Sequence, residues 1–279
     1  MSIQKIIHYC WLSDEPIPEI YQTYMKSWKI KLPDYKFILW DTKRFDINTT
    51  IWTKQAFDAK LYACAADYIR LYAVYNCGGI YLDMDMEVIK PFDSLLNSEI
   101  MIAYENHISE NIEAGCFGAE KEHPYIRKCM EYFENKRFFN PLESEKIMLM
   151  PVSERHEYIN PLILPEIMSI VLKQHFKNIA YKIYPKEYFT AKNVVTGQIE
   201  KKEVTFTVHH FATQYHSEEW RKRRAVRQRI NRTFGENAAI VKTFEKLYGV
   251  TKRINSYGIA KAAMYYFDKY IRKPDTINA

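Results

Sequence analysis

Two aspartates, Asp83 and Asp85, end the run Gly78-Gly79-Ile80-Tyr81-Leu82-Asp83-Met84-Asp85. A strand alternates its side chains between faces, so both carboxylates are expected on one side and Met84 on the other. Two hard oxygen ligands at one sheet edge suit Mg²⁺ or Mn²⁺, and through such an ion a diphosphate. This spacing also arises often by chance, and a pair of aspartates that caps a loop is the alternative.

The segment before this run predicts a helix over residues 61–76, because its apolar residues recur at helical spacing. Asp67 and Arg70 are the only charged residues of that helix. Since a solvent-facing helix normally carries more charge, the pair indicates a helix that forms the wall of a cleft. Arginine offers a fork for phosphate or carboxylate, and aspartate accepts hydrogen bonds from sugar hydroxyls. An ordinary surface ion pair is the alternative.

Two adjacent histidines, His209 and His210, close an apolar run near residues 204–211. Two aspartates supply too few protein ligands for a cation, and imidazole suits Mn²⁺ better than Mg²⁺. Because side chains alternate along a strand, only one histidine can face the metal. We choose His210 as the candidate ligand, with a structural role at the end of the strand as the alternative.

Several aromatic residues are candidates for binding the nucleotide. His8, Tyr9 and Trp11 end the first predicted strand, where Tyr9 or Trp11 could stack on a base. Trp220 begins a late helix and is predicted to cover the same cleft. For each of these residues, packing in the core is the alternative.

Strands alternate with helices through the first half of the chain. Strands are predicted at residues 3–11, 35–40, 80–85, 100–104, 115–119 and 204–211. Helices are predicted at residues 16–28, 61–76, 123–133, 165–176, 217–232, 236–248 and 256–272. This order favours an α/β fold with a mostly parallel sheet, in which ligands bind beyond the carboxyl ends of the strands.

The bulk composition limits the class of protein. The chain has 279 residues, of which 47% are hydrophobic and 27% charged, as in a folded globular protein. Its five cysteines form no C-x-x-C pair, which argues against a disulfide scaffold or zinc ribbon and favours a reducing compartment. The start shows no secretory signal and no apolar run reaches about 20 residues, so we expect a cytoplasmic protein. No P-loop, G-x-G-x-x-G, G-x-S-x-G or H-E-x-x-H motif is present, which excludes the simplest kinase, dehydrogenase, serine hydrolase and zincin assignments.

The net charge of +6 is concentrated in one segment. Residues 221–232 carry seven of the 40 Lys and Arg residues and no acid. Nucleic-acid binding, a solvated helix face and a membrane-surface patch are the three alternatives. A run of arginines without interleaved aromatics is weak support for nucleic acid, so we predict no nucleic-acid partner. We predict instead an anionic membrane surface, at the inner face of the cytoplasmic membrane.

Three blocks of sequence together resemble glycosyltransferase family 32, a group defined by a D-x-D sugar-binding region. They are Lys5-Ile6-Ile7-His8-Tyr9-Cys10-Trp11, the stretch from Ala66-Asp67-Tyr68-Ile69-Arg70 to Asp85, and Lys90-Pro91-Phe92. The family includes yeast initiating mannosyltransferases and bacterial capsule and lipopolysaccharide enzymes, and is distantly similar to clostridial glucosylating toxins. The resemblance covers residues 1–130 well. Val208-His209-His210-Phe211 resembles the closing histidine motif of the family more loosely, because Ala212-Thr213-Gln214-Tyr215-His216 replaces the usual ending.

The resemblance implies a GT-A fold, a nucleotide-diphosphate sugar as donor, Mn²⁺ or Mg²⁺, and retention of anomeric configuration. By the family pattern, Asp67 and Arg70 hold the donor sugar. Asp83 would contact the ribose and the metal shell, and Asp85 would bind the metal directly.

The expected organisation follows from the same resemblance. Residues 1–216 are expected to form the catalytic domain, with a nucleotide-sugar half at 1–104 and an acceptor half at 105–216. Residues 217–279 are expected to form a helical C-terminal extension. The expected activity is transfer of a hexose, from a UDP-sugar in preference to a GDP-sugar, to a glycan or lipid-linked glycan of a bacterial surface polysaccharide. A non-catalytic sugar-binding protein of the same fold and a metal-dependent phosphodiesterase are the alternatives. The sequence indicates no oligomeric state.

Overall fold

A computed structural model describes residues 2–106, 110–155, 162–177, 183–212 and 218–235, together with residues 240, 243, 246 and 247. Within these residues, six strands form one sheet in the order β2-β1-β3-β6-β5-β7. The strands are β1 (Ile6–Cys10), β2 (Lys36–Trp40), β3 (Gly79–Leu82), β5 (Ile100–Ala103), β6 (Cys116–Ala119) and β7 (Ile183–Tyr184). Five of them run in one direction and β6 runs against its neighbours β3 and β5. The prediction of a mostly parallel α/β sheet is therefore confirmed.

A second, two-stranded sheet forms where the chain leaves β3. In it, β4 (Met86–Val88) pairs antiparallel with β8 (Thr207–His209). The register sets Met86 opposite His209, so the pairing joins two segments that lie far apart in the sequence. This small sheet brings the late histidine strand to the carboxyl end of β3.

Helices cover both faces of the large sheet, as a mostly parallel sheet requires. In chain order, the α-helices of the described residues are α1 (Glu19–Lys31), α2 (Ile51–Asp58), α3 (Tyr62–Cys77), α4 (Pro124–Glu134), α5 (Ser144–Leu149), α6 (Val152–Arg155), α7 (Leu164–His175) and α8 (Glu218–Phe234). Residues of α2, α3, α4 and α7 share one apolar cluster with Tyr81 and Phe117 of the sheet. Trp28 of α1 belongs to a second cluster, on residues such as Ile7 and Ile80.

The helix α3 ends at a glycine pair that opens β3. Gly78 and Gly79 have positive φ angles of 64° and 104°, a region that glycine adopts without steric cost. The Gly78 N–H donates to the carbonyl of Val74 and closes the helix. The apolar strand then runs directly to Asp83, as the sequence predicts.

Several elements differ from the sequence prediction. The helix α2 and the short strands β4 and β7 are additional, and the strand predicted at 204–211 is regular only over Thr207–His209. The helix predicted at 256–272 lies outside the described residues, as does most of the helix predicted at 236–248.

The chain divides into two compact units. One contains Met1–Val194 and Gln198–Ser217, and the other contains Val195–Gly197 and Glu218–Ala279. The assignment of catalytic, nucleotide and acceptor roles to segments of the chain stays a prediction. Among the residues that the structure describes, no helix combines the length and apolar character needed to cross a bilayer.

Candidate active site

Asp83 and Asp85 lie in a tight turn between β3 and β4. The carbonyl of Asp83 accepts from the N–H of Met86 at 3.0 Å, which closes the turn, and the N–H of Asp83 donates to the carbonyl of Gly115 at 2.8 Å. The Met84 side chain is buried. The two carboxylates converge because the chain turns, and not because of the strand alternation predicted from the sequence. Their position at the carboxyl end of β3 agrees with the prediction.

The third group at this position is His209. Its Nε2 lies 3.4 Å from Asp85 Oδ1. One ligand atom from each of Asp83, Asp85 and His209 lies within 4.8 Å of the others. The antiparallel pairing of β4 with β8 positions the imidazole, because it sets His209 across from Met86.

His210 faces a different environment. Its ring stacks on Tyr24, with centroids 4.1 Å apart, and its Nε2 lies 2.9 Å from Glu87 Oε2. This arrangement corrects the choice of His210 as the candidate ligand, since its ring nitrogen is engaged by another carboxylate. The two adjacent histidines face different carboxylates, and the register with β4 places His209, not His210, beside Asp85.

The three groups fit a divalent cation. Two carboxylates offer hard oxygen atoms and the imidazole offers a borderline nitrogen, a set that suits Mn²⁺. Gly115 forms the floor beside them: a Cβ there would lie 2.9 Å from Asp83 Oδ2 and 3.0 Å from His209 Cε1. The absence of a side chain at Gly115 therefore leaves room for these groups to converge.

Arg70 is the buried centre of an ion-pair network. Its guanidinium lies 3.4 Å from Asp67 Oδ1 and 3.3 Å from Asp83 Oδ2, and it donates to the carbonyl of Ala114 at 2.9 Å. It also lies over the ring of Tyr81, 4.7 Å from the centroid. The Arg70 side chain is 7% exposed, so its contacts hold Asp83 in place and leave little of the guanidinium to bind a ligand.

Asp67 lies one helical turn before Arg70, and its side chain is more exposed than that of Arg70, at 18%. Burial raises the pKa of Asp67 to about 7, although Arg70 opposes the shift. Asp67 and Arg70 therefore form the ion pair expected from their spacing on α3. The pair lies beside the candidate cation site, because Arg70 also contacts Asp83.

The two aspartates of the turn have different electrostatic environments. Burial raises the pKa of Asp83, against the attraction of Arg70, and its Oδ1 accepts from the hydroxyl of Tyr81 at 2.9 Å. Burial would also raise the pKa of Asp85, but the charge and hydrogen bond of His209 bring it down to about 2. The N–H of Ala212 donates to Asp85 Oδ2 at 2.8 Å. Asp85 is thus the carboxylate that the fold keeps ionised.

Sequence reasoning missed Glu113. This carboxylate is buried and its Oε2 lies 3.1 Å from His209 Nδ1. Burial opposes a charge on His209, but Glu113 and Asp85 raise the pKa of the imidazole well above its usual value. The signal in the sequence is a lone acid in the otherwise uncharged run Ile112-Glu113-Ala114-Gly115-Cys116-Phe117.

The aromatic residues predicted to bind the nucleotide are only partly accessible. His8 is fully buried, with Nε2 2.8 Å from the carbonyl of Gly78 and Nδ1 3.0 Å from the indole nitrogen of Trp40. It is a core residue, because β1 lies between β2 and β3 and is covered on both faces. This corrects its assignment to nucleotide binding.

Tyr9 and Trp11 are half-buried and remain candidates for stacking on a base. Tyr9 packs edge-on against Trp28, and the Trp11 indole donates to the carbonyl of Glu15. Trp220 lies in α8, in the second unit, where it is 37% exposed and contacts Arg224. Its predicted role at the nucleotide stays a prediction.

Residues 18–102 match a protein-family model described as "Glycosyltransferase sugar-binding region containing DXD motif". The matched region contains Asp67, Arg70, Asp83 and Asp85. The family resemblance is confirmed over these residues, which match the D-x-D sugar-binding region of glycosyltransferases.

Two curated relatives are mannosyltransferases of Schizosaccharomyces pombe. Inositol phosphoceramide mannosyltransferase 3 is 32% identical over 131 residues, which are 45% of this chain and 35% of that protein. Inositol phosphoceramide mannosyltransferase 2 is 26% identical over 201 residues, or 67% of this chain and 56% of that protein. The chain therefore spans between a third and somewhat over half of the length of these relatives. Among solved structures, "PaToxG Glycosyltransferase" is similar with a TM-score of 0.45 at 17% identity, over 64% of this chain and 72% of that one.

Proposed function

We propose that this protein is a metal-dependent glycosyltransferase that moves a hexose from a nucleotide-diphosphate sugar to an acceptor hydroxyl. The observation that carries the proposal is the convergence of Asp83, Asp85 and His209 within 4.8 Å, next to a helix that presents Asp67. The family match over residues 18–102 supports the assignment of this site to a sugar donor. A metal site alone would not account for Asp67 on the neighbouring helix, and an ion pair alone would not account for the convergence of Asp83, Asp85 and His209.

The proposed roles follow from the contacts of each side chain. Asp83, Asp85 and His209 would hold a divalent ion, Mn²⁺ or Mg²⁺. When bound, that ion would neutralise charge on the diphosphate as the nucleotide leaves. Arg70 holds Asp83 through its ion pair and would add a positive charge near the leaving group of a bound donor. Tyr81 fixes the other oxygen of Asp83.

Asp67 is proposed to orient the donor sugar. The oxygens of its carboxyl group can accept hydrogen bonds from sugar hydroxyls, and Arg70 holds one of them. Retention of anomeric configuration is proposed to proceed by attack of the acceptor on the face that the leaving group vacates, with the phosphate as base. Glu113 is buried and paired with His209, so it is a poor candidate for a covalent nucleophile. Isolation of a glycosyl adduct on any carboxylate would contradict this mechanism.

A screen of sugar nucleotides and acceptors would identify the two substrates. The preference for UDP over GDP and the role in bacterial surface polysaccharide synthesis stay predictions. The names of two relatives point to mannose and to a phosphoinositol-containing lipid, so both belong in the screen.

The test is metal-dependent release of nucleoside diphosphate from a panel of UDP- and GDP-hexoses, GDP-mannose included. We expect release with Mn²⁺, loss of release with a chelator, and loss in Asp85→Asn. Asp58→Asn, on the exposed face of α2, is the matched control and should leave release unchanged. Hydrolysis of simple phosphodiesters in place of sugar nucleotides would favour the phosphodiesterase alternative, and binding without release would favour the non-catalytic one.

We also propose that α8 associates with anionic lipid. Arg227, Arg229 and Arg232 are exposed on this helix, and each basic residue near such a surface contributes about 1 kcal/mol. Replacing all three with Gln should weaken cosedimentation with phosphatidylserine vesicles. The equivalent replacement of the exposed lysines at 26, 29 and 31 in α1 is the control of equal charge. Equal binding of the unmodified protein to neutral and anionic vesicles would contradict the proposal.

A further inference from the structure

Glu113 is a buried carboxylate that the proposed transfer reaction does not use directly. It is 1% exposed, and burial of a charge at that depth is costly unless donors satisfy it. Three donors surround it: the N–H of Gly115 at 2.6 Å, the hydroxyl of Thr190 at 2.5 Å and Nδ1 of His209 at 3.1 Å. Both oxygens are therefore engaged, and the carboxylate is fixed from three separate segments of the chain.

This arrangement determines how the imidazole of His209 is presented. An ionised carboxylate only accepts hydrogen bonds, so the nitrogen that faces Glu113 must carry a proton. The opposite nitrogen, Nε2, lies 3.4 Å from Asp85 Oδ1 and belongs to the group that includes Asp83. A neutral imidazole with its proton on Nδ1 would present the Nε2 lone pair to a cation at this position.

We propose that Glu113 is a positioning residue that holds His209 with the proton on Nδ1 and directs Nε2 at the cation site of Asp83 and Asp85. This inference rests on the proposed function, since it assumes that a cation binds there. The negative charge of Glu113 also makes the imidazole a stronger ligand, as carboxylates that accept a hydrogen bond from metal-bound histidines do.

The hydrogen bonds that fix Glu113 explain why a carboxylate, and not an amide, is needed at this position. Gly115 and Thr190 occupy one oxygen each, so the carboxylate cannot rotate away from His209 without losing a hydrogen bond. An amide at position 113 has one oxygen and one nitrogen. If its NH₂ group faced His209, it would donate to Nδ1 and move the proton to Nε2, which removes the ligand lone pair from the cation site.

The experiment compares Glu113→Gln with the unmodified protein in two measurements. The first is Mn²⁺ affinity, followed by electron paramagnetic resonance, where we expect a loss of about 10- to 100-fold. The second is the ¹⁵N chemical shifts of His209 in the Zn²⁺-loaded protein, where we expect the proton on Nδ1 in the unmodified protein and its loss from that position in the variant. Glu110→Gln, which removes the same charge from an exposed side chain paired with Lys173, should change neither.

The outcomes separate this inference from the proposed function. If the unmodified protein binds Mn²⁺ and Glu113→Gln binds it equally well, with the same ¹⁵N shifts, the role of Glu113 is overturned and the cation site stands. If the unmodified protein does not bind Mn²⁺, the cation site itself fails and the inference fails with it. Should Glu113→Gln not fold, Thr190→Val removes one donor and is expected to weaken Mn²⁺ binding; full affinity and unchanged shifts in that variant would overturn the proposal.

Discussion

The carboxylate of Asp67 is predicted to lower the stability of the folded protein at neutral pH. Burial raises its pKa from 3.8 to about 7. A shift of about three units corresponds to about 4 kcal/mol between the protonated and ionised states. Because the folded pKa lies above the unfolded one, Asp67 does not penalise folding below about pH 4, where it is protonated in both states. The free energy of unfolding then falls by up to this amount as the pH rises through 7. The value is an upper bound, since part of the side chain contacts solvent.

The substitution Asp67→Asn should therefore stabilise the protein at alkaline pH. It removes the titrating group at nearly constant volume, and Arg70 keeps its contacts with Asp83 and the Ala114 carbonyl. Since Arg70 loses one partner, we expect a net gain of about 1–3 kcal/mol at pH 8 and no gain at pH 4. The same variant should lose donor turnover, because the group proposed to orient the sugar is gone.

The assay is urea denaturation of both proteins at pH 4, 6 and 8, together with Mn²⁺ binding and release of nucleoside diphosphate. Asp58→Asn in α2 is the control, since that side chain is 41% exposed. The reasoning is refuted if Asp67→Asn is destabilised at pH 8, or if it follows Asp58→Asn at every pH. Full turnover in Asp67→Asn would refute the proposed role at the sugar while leaving the stability argument intact.

Three further predictions concern His8, Gly115 and Arg70. Burial lowers the pKa of His8 to about 4, so stability should fall by up to about 3 kcal/mol as the pH drops from 6.5 to 4, and this loss should be smaller in denaturation of His8→Gln. Gly115→Ala places a Cβ 2.9 Å from Asp83 Oδ2 and should abolish Mn²⁺ binding measured by calorimetry; wild-type affinity would contradict the close approach. Arg70→Lys keeps the charge but cannot make all three contacts of the guanidinium, so turnover should fall at least about tenfold, and unchanged turnover would show that charge alone suffices.

The fold was predictable where local patterns decide it. Apolar periodicity located α3, and the glycine pair at 78–79 located the start of β3. The order of strands and helices gave the mostly parallel sheet. The turn after β3 was not predictable, because the closing hydrogen bond from Met86 to Asp83 depends on β4, whose pairing partner lies over a hundred residues away.

The site was predictable for residues close in the sequence and much less so for those brought in by tertiary structure. The spacing of Asp67 and Arg70 predicted their pairing, but their link to Asp83 arises from the packing of α3 on β3. Alternation shows that His209 and His210 face opposite ways, and only the register with Met86 tells which one meets Asp85.

Burial also changes the role assigned to residues that look functional in the sequence, such as His8. His8 lies on a strand that is paired on both sides, and no local pattern distinguishes such a histidine from one at the edge of a cleft. Glu113 shows the converse, since its role depends on a histidine nearly a hundred residues later.

The most direct test of the proposed site compares His209→Gln with His210→Gln in Mn²⁺-dependent release of nucleoside diphosphate. The two substitutions are chemically identical and adjacent, yet one removes the imidazole beside Asp85 and the other removes the ring paired with Glu87. We predict that His209→Gln loses most of the Mn²⁺-dependent release and that His210→Gln retains it. Retention in His209→Gln, with loss in His210→Gln, would contradict the assignment of Asp83, Asp85 and His209 as the cation site.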